Sequence, residues 1–154
     1  MKIYLVRHGQ YLSSDMNADQ SLSEKGRKET VDIALWLKEM NLEIGEIRHS
    51  VKKRAEETAE IIYNLIGSNS KLIQTDGLKP SDPIEPLLEE ILAGDQNLMV
   101  VGHLPYLEKL MTVLLFGDER ESPVDLCNSC VICLEGEKRH WKIVWMISPK
   151  CFPV

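Results

Sequence analysis

The chain reads as an α/β protein, a three-layer α-β-α arrangement around a mostly parallel sheet. Three observations predict it. Short β-prone apolar runs alternate with amphipathic helical stripes up to residue 116, a pattern that produces right-handed β-α-β units with helices on both sheet faces. The early runs are followed closely by glycine or histidine instead of continuing into a helical period, so they have strand length. After residue 130 the helical period disappears and two β-prone runs flank a short turn, which predicts a hairpin and an antiparallel edge.

Ile3-Tyr4-Leu5-Val6 is the first strand, and it hands over without a spacer to Arg7-His8-Gly9. A guanidinium and an imidazole at the end of a core strand must either face water at the sheet rim or line an anion site, because unpaired polar groups are expensive to bury. Gln10 to Gln20 is polar and rich in serine, aspartate and asparagine, and reads as a surface loop. Ser23 then caps a helix whose small and apolar positions are Gly26, Thr30, Ile33, Ala34, Leu37 and Met40. Trp36 sits just off this stripe, at the core edge.

Glu46 to Ser50 is a second, weaker strand, and Ala55, Thr58, Ala59, Ile62, Leu65 and Ile66 form the next helical stripe, closed by Gly67. Ser50 to Arg54 thus spans a strand-to-helix turn, where free N–H groups and the helix dipole favour an anion. Taken alone, Lys52-Lys53-Arg54 reads as a solvated helix start. Lys71 to Thr75 is a third strand, and Asp76 to Pro86 is a Pro-rich connector containing Asp82 and Glu85. A short helix follows through Leu87, Leu88, Ile91 and Leu92, then a core strand Asn97 to Val101 that ends at Gly102-His103. A helix through Leu107, Leu110, Met111 and Leu114 admits Pro105 in its first turn. Val131 to Leu134, a turn containing Gly136, and Trp141 to Met146 make the hairpin.

With 154 residues and 44% hydrophobic content the chain suits one domain over residues 1–154. A net charge of -6 argues against nucleic acid or an anionic membrane as partner. The opening apolar run is too short for a signal-peptide core or a membrane span, so a soluble, cytoplasmic protein is expected. Cys127, Cys130 and Cys133 share a spacing that could suggest a metal or cluster. They lie in an apolar β-prone run with no second ligand pair, and are expected to be small core hydrophobes.

In an open α/β sheet, ligands bind beyond the carboxyl ends of the strands. Parallel strands would bring Arg7, His8, Ser50 with Arg54, and His103 to the same rim. Two arginines and two histidines repel one another unless an anion joins them, and a phosphate or sulfate fits that charge. Histidine can also attack phosphorus. No Cys-x5-Arg loop, serine elbow or Gly-x4-Gly-Lys loop competes for the chemistry.

Arg7-His8-Gly9, Leu22-Ser23-x2-Gly26, Ser50-x3-Arg54-Ala55-x2-Thr58-Ala59 and Gly102-His103 together resemble the histidine phosphatase superfamily, the phosphoglycerate-mutase-like fold. The compact length, His103-Leu104-Pro105, Asn128-Ser129 and Trp145-Met146-x-Ser148-Pro149 are most similar to its phosphohistidine phosphatase SixA branch. The resemblance implies a two-step phosphoryl transfer without metal or cofactor. His8 would be the nucleophile, Arg7 and Arg54 would hold the phosphoryl oxygens, and His103 would donate a further hydrogen bond. A backbone carbonyl near Gly9 is expected to fix the His8 tautomer. The implied substrate is phosphohistidine on a protein, such as the phosphotransfer domain of a signalling relay. The alternatives are a small-molecule phosphomonoesterase and a non-catalytic phosphate- or phosphoprotein-binding module. Val51, Glu57 and Gln10 depart from the family pattern, where proline, glutamine and an acidic residue are usual. Asp82 and Glu85 are the candidates for an acid that would protonate an alcohol leaving group, a step that phosphohistidine does not require. No long insertion follows Arg54 to build a lid, which favours a shallow pocket open to a protein side chain and disfavours a mutase.

Overall fold

The computed structural model describes residues 1–66 and 69–153. Six strands form one sheet: β1 (Lys2–Arg7), β2 (Glu46–His49), β3 (Lys71–Gln74), β4 (Leu98–Gly102), β5 (Val131–Glu137) and β6 (His140–Ile147). Their order is β3-β2-β4-β1-β5-β6. The first four are mutually parallel, while β5 runs antiparallel to β1 and β6 antiparallel to β5. Four helices cover it: α1 (Glu24–Glu39), α2 (Lys53–Ile66), α3 (Glu85–Ala93) and α4 (Tyr106–Phe116).

The period-2 geometry of strands divides the core into two layers. Ile3 and Leu5 of β1, Leu98 and Val100 of β4, and Ile132 and Leu134 of β5 face α3 and α4. Tyr4, Val6, Met99, Val101, Val131 and Cys133 face α1 and α2. Both faces of the central strands are therefore covered, and Ile3 to Val6 are at most 1% exposed, which is why β1 and β4 read as unbroken apolar runs. This is the three-layer arrangement expected from the alternation of elements.

The connection leaving β1 passes through α1 on one face, and the connection leaving its neighbour β4 passes through α4 on the other. Adjacent parallel strands whose chains diverge to opposite faces leave a crevice at their carboxyl ends. That crevice opens beside Arg7 and Gly102, which are register partners.

Several local expectations shift. The hairpin turn is at Lys138-Arg139, and Gly136 lies within β5 opposite Trp141. Lys138 takes the left-handed conformation, with φ of 52°, so the turn forms there without glycine. Glu85 opens α3 and is not part of the connector; Pro86 is tolerated in that first turn because no intrahelical N–H bond is needed there. Met40 is the C-cap of α1 and is exposed, since the helix stops before its side chain can reach the core. Ser23 caps α1 as expected, accepting the Gly26 N–H at 3.0 Å. Trp36 packs at the core edge against Trp145. Gly67, the expected stop of α2, lies outside the described residues. Cys130 and Cys133 are buried among apolar side chains on opposite faces of the sheet, with Cys127 packed at the edge of the core. No group of three or more metal-ligating side chains occurs among the described residues.

Candidate active site

Backbone hydrogen bonds carry the sheet one step past its formal strand ends. The His8 N–H donates to Gly102 O at 3.0 Å and the Ser50 N–H donates to Val101 O at 3.1 Å. Three neighbouring strands, β2, β4 and β1, thus deliver Ser50, His103 and His8 to one level of the rim. Arg54 joins them from the first turn of α2. The structure brings together all four residues singled out from the sequence: Arg7, His8, Arg54 and His103.

His8 is 4% exposed. Its Nδ1 lies 2.8 Å from Gly9 O. A carbonyl only accepts, so Nδ1 carries the proton and Nε2 keeps its lone pair. Burial pushes the His8 imidazole down to about 4; the Gly9 hydrogen bond opposes that shift, and Arg54 and Arg7 add to it. The His8 imidazole is therefore neutral at pH 7.

The His103 ring lies 5.0 Å from that of His8, centroid to centroid. Its Nε2 is 2.8 Å from Ser50 Oγ, and its buried Nδ1 has no partner among the described residues. Burial and then the charges of His8, Arg54, Lys52 and Arg7 lower His103 to about 3. Arg7 donates from Nη1 to Leu126 O at 2.8 Å, yet its Nε is buried without a partner, as is that of Arg54. Burial also lowers Arg54 from the usual guanidinium value. Three buried nitrogens left unsatisfied around one crevice are costly unless an acceptor joins them. A tetrahedral oxyanion supplies several acceptors at once.

The backbone beneath His8 is held from three sides. Asn128 Nδ2 donates to His8 O at 3.0 Å, and the Ser129 N–H lies within 3.2 Å of both Arg7 O and His8 O. Thr58 Oγ1 accepts the Gly9 N–H at 2.9 Å and donates to Arg54 O at 2.7 Å. One hydroxyl therefore ties the segment after His8 to the helix that carries Arg54. Gly9 and Gly26 permit the close approach of α1: a Cβ on Gly9 would sit 2.8 Å from Thr30 Oγ1, and one on Gly26 would sit 2.0 Å from Gln10 O. Glu57 has its own task, accepting the Leu22 N–H at 2.6 Å and the Arg27 guanidinium at 3.0 Å.

Two site residues were not singled out as such from the sequence. Asn128 stands in the sequence only as part of a terminal motif. Tyr11 lies inside the polar loop, where a lone aromatic three residues after His8 is the available signal. Its ring lies 4.4 Å from the Arg54 guanidinium carbon and 5.2 Å from the His8 ring. Asp82, one candidate acid, accepts the Lys79 N–H at 2.8 Å within its own turn. Asp82 and Glu85 bear electrostatically on Tyr106, whereas the charges bearing on His8 and His103 are all cationic.

A pH dependence of stability follows. His8 and His103 are neutral in the fold down to about 4 and 3, whereas in the unfolded chain they protonate near 6.5. Between these values the unfolded state binds more protons, so stability declines as pH falls from about 6.5 toward 4. Thermal unfolding at pH 7 and pH 4.5 should show a larger drop in midpoint for the wild type than for His8→Asn; equal drops would contradict the buried neutral imidazole.

A sequence model described as the histidine phosphatase superfamily (branch 1) matches residues 3–82, just over half of the chain. The mitochondrial serine/threonine-protein phosphatase PGAM5 of Mus musculus is 35% identical over 85 residues, which cover 54% of this chain. That match spans only 29% of the relative's length. An uncharacterized protein of Picosynechococcus is 30% identical over 127 residues, covering 76% of this chain and 74% of the relative. The structure of the protein histidine phosphatase SixA complexed with tungstate is similar in fold, with a TM-score of 0.86 over 98% of this chain and 99% of that one, at 24% identity.

Proposed function

Because the chain belongs to the histidine phosphatase superfamily, we propose that it is a metal-independent phosphatase acting through His8 on phosphohistidine carried by a protein. The observation that carries this reading is the His8 imidazole, whose Nδ1–H is engaged by Gly9 O while Nε2, beside Arg7, Arg54 and His103, has no hydrogen bond among the described residues.

Phosphoryl transfer needs in-line positioning and charge stabilisation more than covalent machinery. In the first step His8 Nε2 forms a bond to phosphorus as the P–N bond of the substrate breaks, and the substrate imidazole leaves as a neutral ring after protonation. Arg7 and Arg54 hold the equatorial oxygens, and His103 donates to one of them as charge builds. Water then cleaves the phospho-His8 bond, giving inorganic phosphate and the starting imidazole. A protein of similar fold, the histidine phosphatase SixA, forms a complex with tungstate, which supports a tetrahedral oxyanion as the kind of ligand taken.

The choice of phosphohistidine over an ester rests on the surroundings. An alkoxide leaving group calls for a nearby acid, and the groups bearing on His8 and His103 are cations, with the Asp82 carboxylate engaged by the Lys79 amide. A phosphohistidine protein of a cytoplasmic signalling relay, such as a phosphotransfer domain, fits this pocket, with the whole chain acting as one domain. A second reading, hydrolysis of phosphoserine or phosphothreonine in proteins, is favoured by the name of the mouse relative.

The test incubates the protein, with and without EDTA, with a phosphohistidine-bearing phosphotransfer domain, a phosphoserine peptide and a sugar phosphate. Rapid phosphate release from the first, unaffected by EDTA, is expected. Release from the ester substrates but not from phosphohistidine would overturn the assignment, and loss of activity with EDTA would overturn metal independence.

A further inference from the structure

We propose that Tyr11 is a positioning residue: its ring holds the Arg54 guanidinium flat against the pocket wall, ready for the phosphoryl oxygens. The inference rests on the phosphoryl pocket described above, but not on which phosphorylated group enters it.

Arg54 has no ion pair among the described residues, and its Nε is buried without a partner. Every carboxylate that could have oriented it would also have competed with the substrate's phosphoryl group. A ring face avoids that competition, because its quadrupole attracts the guanidinium while offering no anionic oxygen. The Tyr11 ring occupies that place, 4.4 Å from the guanidinium carbon. It also stands near-perpendicular to the His8 imidazole, with an interplanar angle of 70° and centroids 5.2 Å apart. Tyr11 therefore touches both His8 and Arg54 while remaining 37% exposed itself.

The backbone of Tyr11 is fixed independently of its side chain. Tyr11 bridges to Leu22, and the Leu12 N–H donates to Ser21 O at 2.9 Å. The loop's position is thus retained when the ring is changed, which separates the ring's contribution from that of the fold. The phenol hydroxyl has no role in the proposal, so phenylalanine should replace tyrosine without loss.

The test uses orthovanadate as the oxyanion probe, together with kcat and KM on whichever phosphorylated substrate the wild type turns over. Tyr11→Ala should weaken vanadate binding about fivefold to tenfold, the range of a half-exposed cation–π contact, and should raise KM more than it lowers kcat. Tyr11→Phe should bind as the wild type does. In an Arg54→Ala background, Tyr11→Ala should have no further effect on vanadate affinity, since the ring then has nothing to hold. Wild-type vanadate affinity in Tyr11→Ala, an effect of equal size in the Arg54→Ala background, or a loss in Tyr11→Phe matching that in Tyr11→Ala would each overturn the proposal. Vanadate binding does not depend on phosphohistidine being the substrate, so failure of that assignment leaves this result readable, and the converse also holds.

Discussion

His8→Asn should abolish turnover while leaving a folded protein that still binds oxyanions. The Gly9 carbonyl engages His8 Nδ1 at 2.8 Å, which leaves the lone pair on Nε2. Asparagine is of similar size and can donate its amide to the same carbonyl, so the local hydrogen bond survives and only the nucleophile is removed. Loss of a covalent nucleophile lowers kcat by at least about a thousandfold, with any residue of activity coming from binding and charge stabilisation. Arg7, Arg54 and His103 remain, so vanadate affinity should change little. Steady-state kinetics paired with vanadate titration checks both halves. Turnover within tenfold of wild type would remove His8 from its assigned role, and collapse of vanadate binding would show that His8 is part of the clamp rather than the attacking group.

Gly26→Ala should destabilise the protein and damage the site together. A Cβ there would lie 2.0 Å from Gln10 O, 2.7 Å from Gln10 N and 2.8 Å from Gln10 C. These are backbone atoms with no rotamer in which to retreat, so either α1 or the Gln10 segment must move. Overpacking of this kind costs about 1–3 kcal/mol, and an immovable neighbour puts it at the upper end. For a chain of this size that is a fall of roughly 6–12 °C in the unfolding midpoint. Gln10 directly follows Gly9, whose carbonyl holds the His8 Nδ1–H, and Ser23 at the start of α1 bonds to Gln10 through its N–H at 2.9 Å. The displacement therefore reaches His8, and kcat should fall along with stability. Lys25→Ala, on the exposed side of the same turn, serves as the control. Calorimetry showing equal midpoints for both variants would contradict the packing described here.

Much of this is legible from the sequence because the residues that end strands are also those that meet at the candidate site. Ile3 to Val6 is buried on both faces and so reads as an unbroken apolar run, and nothing but a rim position can follow it with Arg7 and His8. The same logic located His103 after Leu98 to Val101. The alternation of stripes gave the layers, since Ile33, Leu37, Ala59 and Ile62 repeat at helical spacing and are buried. What escaped notice depends on contacts between distant segments. Asn128 reaches His8 O across 120 positions, and no local pattern announces such a bond. Tyr11 is a pocket wall only because α2 brings Arg54 over its ring. Glu57 looked like a departure from a motif, and its reason is a hydrogen bond to Leu22, 35 positions away. The hairpin turn was misplaced because Gly136 resembles a turn residue, whereas its lack of a side chain serves the close approach of Trp141.

In the proposed reaction phosphorus passes through His8 Nε2. Rapid quenching of the protein with a phosphorylated substrate, followed by peptide mapping, tests it most directly. A phosphorylated peptide containing His8, labile in acid and stable in alkali, should form and decay at rates matching turnover and be absent in His8→Asn. Turnover at the wild-type rate with no phosphoenzyme trapped, or phosphate located on another residue, would contradict it.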